Sequence, residues 1–169
     1  MRRLLLLRHA KAAPLSDGDD FDRELIERGR DDARKIGAWI ARSGVRPDYA
    51  IYSGSARTQE TFELVAAELG DRPAAFEQNA LYDATRALIL GLLRELPAKA
   101  QASLVVGHNP GMGDVANLLT GAGDEVGRLQ MASKFPTGAL AILAFDDLDW
   151  SGLTPRTGRL EHFVTPADL

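Results

Sequence analysis

A single-domain, three-layer α/β/α fold with a mainly parallel sheet is predicted for this chain, and three observations predict it. Strand and helix signals alternate along most of the sequence, as crossover connections between parallel strands require. Two short apolar runs, Leu4-Leu5-Leu6-Leu7 and Ser103-Leu104-Val105-Val106-Gly107, suit strands buried on both faces. Each run leads into a histidine, His9 or His108, at a strand-to-loop junction. Open α/β sheets hold their ligands at that edge, outside the carboxyl ends of the strands. A chain of 169 residues suits one core, so a single domain over 1–169 is expected.

The elements follow in order. Residues 3 to 8 read as a buried strand, and Ser16-Asp17-Gly18-Asp19-Asp20 as a polar loop. Leu25, Ala33, Ile36 and Ile40 recur near helical spacing, which predicts a helix from about Leu25 to Ile40. Ser43-Gly44 and Pro47 stop it. Residues 48 to 52 form the next strand. In the turn Ser53-Gly54-Ser55, either serine can cap a helix reaching about Leu69, with Gly70 suited to its end. A short strand at Ala74 to Glu77 precedes a helix from about Ala84 to Leu96, which ends before Pro97. After the strand at 103 to 107, Asn109 can cap a helix with Pro110 at its first position, where the missing N–H costs nothing. That helix ends near Thr120-Gly121. Ala139 to Phe145 and Leu160 to Val164 read as later strands, while residues 122 to 137 give no clear signal.

Composition narrows the function. Apolar residues make up 45% and charged residues 26%, the mix of an ordinary globular protein. The net charge is −4 and no Lys/Arg stripe forms, so no nucleic-acid partner is expected. The absence of cysteine excludes disulfides, thiolate metal sites and a cysteine nucleophile, and is compatible with the cytoplasm, the expected location. Met1-Arg2-Arg3 and four leucines imitate the start of a signal peptide, but the apolar run is too short and Arg8 interrupts it. No stretch approaches membrane-spanning length, so no membrane partner is expected.

The chain has only three histidines, so two at strand ends are informative. Arg8 adjoins His9, and Arg57 follows the strand at 48 to 52. Two cations and two imidazoles at one sheet edge make a phosphate site. Arg57 adds its own argument. It falls in the first turn of a helix, where the macrodipole disfavours a cation unless an anion binds there. The plainer reading is a solvated arginine. His162 lies within a strand rather than at its end and reads as structural. No two histidines have HxxxH or HxH spacing, so no metal is expected. Gly107, Gly111 and Gly113 do not make a dinucleotide fingerprint, and there is no Walker A motif or nucleophile elbow. Asp83 precedes a helix that it could cap. Asp20 and Asp22 are loop carboxylates, which are usually solvated. Trp39 and Trp150 read as core and rim packing.

These residues resemble the histidine phosphatase superfamily, and more closely its small branch of SixA-type phosphohistidine phosphatases. The signature Arg-His-Gly reads Arg8-His9-Ala10 here. A second block appears as Ser53-Gly54-Ser55-Ala56-Arg57-Thr58, and a third is intact at Gly107-His108-Asn109-Pro110. Phe135-Pro136-Thr137-Gly138-Ala139 also fits this branch, so the resemblance spans roughly residues 3 to 145. Ala10 stands where the family has glycine, and Leu25-Ile26-Glu27-Arg28-Gly29 lacks the usual threonine at its helix start. The resemblance implies a phosphoglycerate mutase-like fold and a phosphatase. Asp83 would occupy, with a shorter arm, the place of the glutamate that donates a proton in larger members.

The residues then suggest a mechanism. His9 attacks phosphorus in line and carries a transient phosphohistidine; neutral imidazole is available, its reference pKa being about 6.5. Arg8 and Arg57 hold the non-bridging oxygens with guanidinium forks, and His108 donates a further hydrogen bond. Positioning and charge stabilisation suffice for phosphoryl transfer, so no cofactor or metal is expected. An alkoxide leaving group needs a general acid more than an imidazole does. A weak or missing acid would favour phosphohistidine over phosphate esters, and Asp83 leaves both open; the resemblance implies protein phosphohistidine as the expected substrate. The alternatives are a small phosphorylated metabolite, with Asp83 as general acid, and a non-catalytic phosphate- or phosphopeptide-binding module, against which the presence of His9 argues.

Overall fold

Leu4, Leu5, Leu6 and Leu7 are all fully buried, because β1 (Arg2–Arg8) lies inside a seven-stranded sheet and has helices on both faces. The computed structural model describes residues 1–169. The other strands are β2 (Tyr49–Tyr52), β3 (Ala74–Glu77), β4 (Ala102–Gly107), β5 (Thr120–Gly123), β6 (Leu140–Phe145) and β7 (Gly158–Val164). Their order across the sheet is β3-β2-β4-β1-β6-β7-β5. Only the two pairings of β6, with β1 and with β7, are antiparallel.

Five α-helices cover the sheet: α1 (Glu27–Ser43), α2 (Ala56–Glu68), α3 (Arg86–Arg94), α4 (Gly111–Leu119) and α5 (Glu125–Ser133). Successive side chains on a strand point to opposite faces. Leu5 and Leu7 therefore join a core with Ile36 and Ile40 of α1 and Phe62 and Val65 of α2. Leu4 and Leu6 join a second core with Ile89, Leu93, Val115 and Leu119 of α3 and α4. Each fully buried leucine contributes about 1.5–3 kcal/mol relative to exposure.

Several boundaries and caps differ from the sequence expectations. α1 starts at Glu27 and runs to Ser43, where Gly44 ends it in the left-handed region at φ 84°. Its N-cap is Ile26, which supplies no side-chain cap. Asp83 does not cap α3; Thr85 does, accepting a hydrogen bond from the Leu88 amide at 3.3 Å. Ser55 sits at the N-cap of α2, but its hydroxyl donates to Thr58 Oγ1 at 2.6 Å instead of capping. Pro110 is the N-cap of α4 rather than its first residue, while Asn109 Oδ1 accepts from the Gly113 amide at 3.1 Å. The region after α4 holds β5 and α5, neither of which was expected. Trp150 is fully buried and donates from Nε1 to the Ala100 carbonyl at 2.9 Å. Trp39 is partly buried and meets the exposed His162 edge-on, with ring centroids 5.1 Å apart.

The strand pairings place the functional edge. Arg8 is in register with Gly107, and Tyr52 with Val106, so β1, β4 and β2 end side by side. The chain leaves β1 towards α1 on one face and leaves β4 towards α4 on the other, which opens a crevice between them. Because β6 runs against β1, the segment leading into it arrives at this same edge. Gly138, at φ 77°, makes the entry, its amide donating to the carbonyls of Arg8 at 3.2 Å and His9 at 3.0 Å.

Candidate active site

Each imidazole is delivered by the end of a strand and oriented by one backbone or hydroxyl partner. The His9 amide donates to the Gly107 carbonyl at 3.0 Å, which extends the β1–β4 pairing by one residue. His9 Nδ1 lies 2.7 Å from the Ala10 carbonyl. A carbonyl only accepts, so Nδ1 carries the proton and Nε2 keeps its lone pair. His108 Nε2 lies 2.8 Å from Ser53 Oγ. The two rings are 5.4 Å apart. Burial pushes the His9 pKa down to about 3, helped by the positive charges of Arg57 and Arg8. Burial, followed by Arg57, takes His108 down to about 4. Both rings are therefore neutral near pH 7.

The alanine after His9 fits without strain. Ala10 is fully buried, its backbone is not left-handed, and its amide donates to Thr61 Oγ1 at 3.0 Å. Thr61 Oγ1 in turn donates to the Arg57 carbonyl at 2.7 Å, tying α2 to the nucleophile loop.

Arg57 is no solvated surface arginine: only 4% of it is exposed. Its Nε donates to His9 Nε2 at 3.3 Å, and its Nη2 lies 3.4 Å from His108 Nδ1. Asp20 supplies its countercharge, with Oδ2 at 2.9 Å from Nη2. Arg8 reaches in from the other side, donating from Nη1 to the Phe135 carbonyl at 3.0 Å. Asn109 Nδ2 donates to that same carbonyl at 2.7 Å, so the β1 and β4 loops share one anchor on the segment before β6. The Arg8 Nε is buried and has no partner. Burial and the charge on Arg57 both lower the Arg8 pKa. An anion between the two guanidiniums would relieve that repulsion.

Arg8, His9, Arg57, Asp83 and His108 all line one cavity of about 250 Å³, together with Arg23, Asn109 and Thr137. The five residues singled out in the sequence thus come together. Asp83 stands at the exposed rim, with left-handed backbone at φ 53°. A larger groove of about 750 Å³ shares Lys11 and Thr137 with this cavity. The smaller cavity is the reactive one, since both imidazoles and both guanidiniums face it. No group of three or more His, Asp or Glu side chains is disposed to hold a metal ion. Asp20 and Tyr82 are functional candidates that sequence reasoning passed over. Tyr82 donates its hydroxyl to Asp20 Oδ2, and its ring meets His108 edge-on at 5.3 Å.

Known proteins resemble this chain in sequence and in fold. Residues 4–84 match the family model of the histidine phosphatase superfamily (branch 1). An uncharacterised protein of Mycobacterium leprae is 30% identical over 95% of this chain and 99% of its own length. A crystal structure from Agrobacterium tumefaciens, assigned as a phosphohistidine phosphatase SixA, is 30% identical with a TM-score of 0.82, covering 98% of both chains. A protein of Nakamurella multipartitia with the same assignment is 27% identical with a TM-score of 0.83, over 98% of this chain and 96% of that one. A Plasmodium falciparum phosphoglycerate mutase shares the fold alone, at 15% identity and a TM-score of 0.61 over 96% of this chain and 89% of its own.

Proposed function

Since the chain belongs to the histidine phosphatase superfamily, in its SixA-like branch, and is a phosphatase by that membership, we propose that it removes the phosphoryl group from protein phosphohistidine through a covalent intermediate on His9. The observation that carries this reading is the neutral His9 imidazole, its Nε2 lone pair facing a cavity flanked by Arg8 and Arg57. Nε2 attacks phosphorus as the bond to the leaving imidazole breaks. Arg8 and Arg57 hold the non-bridging oxygens through the transfer, as forked guanidiniums suit phosphate. His108 lies beside the same oxygens, and a proton drawn onto Nδ1 by the entering anion would make it a donor. Water then attacks the phosphoryl-His9 and releases phosphate.

The leaving group favours phosphohistidine. Asp20 is held below the usual carboxylate range, first by the Tyr82 hydroxyl and then by Arg57 and Arg23, so it has no proton to give at neutral pH. Asp83, at the rim, is the one carboxylate that lines the cavity. An imidazole leaves with less protonation than an alkoxide. The adjoining groove offers room for a polypeptide beside the reacting group. The position of Asp83 on the cavity wall favours a second reading, a phosphomonoesterase acting on small metabolites with Asp83 as general acid.

Side-by-side turnover of a phosphohistidine protein, a panel of phosphate esters and a generic aryl phosphate separates the two. The phosphohistidine protein should be the best substrate, and Asp83→Asn should slow ester hydrolysis more than phosphohistidine hydrolysis. Rapid quench should trap acid-labile, base-stable label that vanishes in His9→Ala; label persisting in that variant contradicts the assignment. Chelators should leave turnover intact. Activity lost to chelation and restored by magnesium or zinc would require a metal mechanism.

A further inference from the structure

Asp20 begins the short 3-10 turn Asp20–Asp22 in the loop after β1, and it grips Arg57 twice. Arg57 Nη1 donates to the Asp20 carbonyl at 2.7 Å and Nη2 donates to Oδ2 at 2.9 Å. Oδ2 also accepts from the Tyr82 hydroxyl, and Oδ1 accepts from Arg23 Nε at 2.9 Å. Phe21 packs edge-on against the Tyr82 ring, with centroids 5.1 Å apart, so loop and phenol hold each other.

The guanidinium is thus used on two sides. Its Nη1/Nη2 edge makes short contacts to Asp20. Its Nε and the inner side of Nη2 make longer contacts, 3.3 and 3.4 Å, to the two imidazoles. An anion entering between the rings would compete with the longer contacts before the shorter ones. We propose that Asp20 is a positioning residue for phosphoryl transfer: it fixes Arg57 from behind, aiming Nε and Nη2 at the transferring group, while Tyr82 orients its carboxylate. This rests on the reading of the cavity as a phosphoryl-transfer site.

Two physical arguments separate positioning from simple stabilisation. The Asp20 side chain is 39% exposed, and ion pairs with an exposed partner contribute little to stability. A carboxylate beside the phosphate site also works against ground-state anion binding. Its contribution is therefore to the aim of the fork, which matters most in the transition state.

The test uses the full chain with Asp20→Ala and Asp20→Asn, each alone and combined with Arg57→Ala. Asp20→Ala should lower kcat by roughly 10- to 100-fold, the scale on which small misplacements of reacting groups act. Its affinity for inorganic phosphate should hold or tighten. Asp20→Asn, whose amide oxygen still accepts from Nη2, should recover part of kcat and serves if the alanine variant does not fold. In the Arg57→Ala background, replacing Asp20 should cost nothing further. Parental kcat in Asp20→Ala, losses that multiply in the double variant, or phosphate affinity falling in step with kcat would each overturn the proposal. If the parent hydrolyses no phosphorylated substrate, the phosphatase reading fails on its own. Asp20 is then judged by the Arg57 Nε–H NMR signal with saturating inorganic phosphate: broadening in Asp20→Asn supports positioning, and an unchanged signal overturns it.

Discussion

His9 and His108 are buried as neutral rings, and this links stability to pH in a definite direction. Their folded pKa values, about 3 and about 4, lie below the ordinary histidine value of 6.5. Below that value the unfolded chain binds protons that the native state refuses. Stability therefore falls as pH drops from about 6.5 towards about 4, by about 1.4 kcal/mol per pH unit for each proton by which the states differ. The urea midpoint should decline between pH 7 and pH 5, with a shallower slope in His9→Asn. A flat midpoint in the parent would mean that the rings are not held neutral. Arg57→Ala should cut turnover by roughly 10²–10³, as removal of a transition-state donor does. Arg57→Lys should recover only part, because a point charge cannot make the forked contact. From the sequence, Arg57 opposes its helix dipole and its removal costs almost no stability. Its burial revises that to about 1–2 kcal/mol, because the packing of the buried stem is lost with the side chain. Parent-like turnover in a folded Arg57→Ala would remove it from the site.

Helix α1 meets the nucleophile loop at a glycine. A Cβ on Gly29 would stand 2.1 Å from the Lys11 carbonyl oxygen, which also accepts from the Ile26 amide at 3.1 Å. Backbone cannot yield as a flexible side chain does. Gly29→Ala should destabilise by about 1–3 kcal/mol, in the range of overpacked sites, and should lower activity by shifting the loop beyond His9. Gly18→Ala, at a glycine with open space around it, is the control for both measurements. Elements with strong periodicity or unbroken apolar runs, β1, β4 and α1, were legible in the sequence for this packing reason. β5 was not, since Thr120-Gly121-Ala122-Gly123 has no apolar alternation and lies at the sheet edge. Neither was α5, which buries only Met131 and leaves Val126 and Leu129 exposed. The imidazoles and Arg8 were legible because strand ends announce themselves. Asp20 was not: among Asp17, Asp19 and Asp22 in one polar loop, nothing local distinguishes the carboxylate that turns inward.

At the scale of the whole molecule, the site depends on strands far apart in the chain. β4 lies between β2 and β1, so these two strands, consecutive in the chain, never touch each other. β1 pairs only with β4 and β6, whose residues begin at Ala102 and Leu140. Such pairings give a high contact order, and folding rates fall as contact order rises. On the ribosome, the four leucines and His9 emerge well before β4 and have no strand to pair with until Ala102 has cleared the exit tunnel. Until then the chain presents an unpaired apolar strand, the kind of surface that drives aggregation and engages holdase chaperones. Nascent chains stalled before Ala102 should bind such chaperones, and chains stalled after β6 has emerged should be released. The emergence of β4 thus sets the moment at which the nucleophile upstream of it gains a pocket.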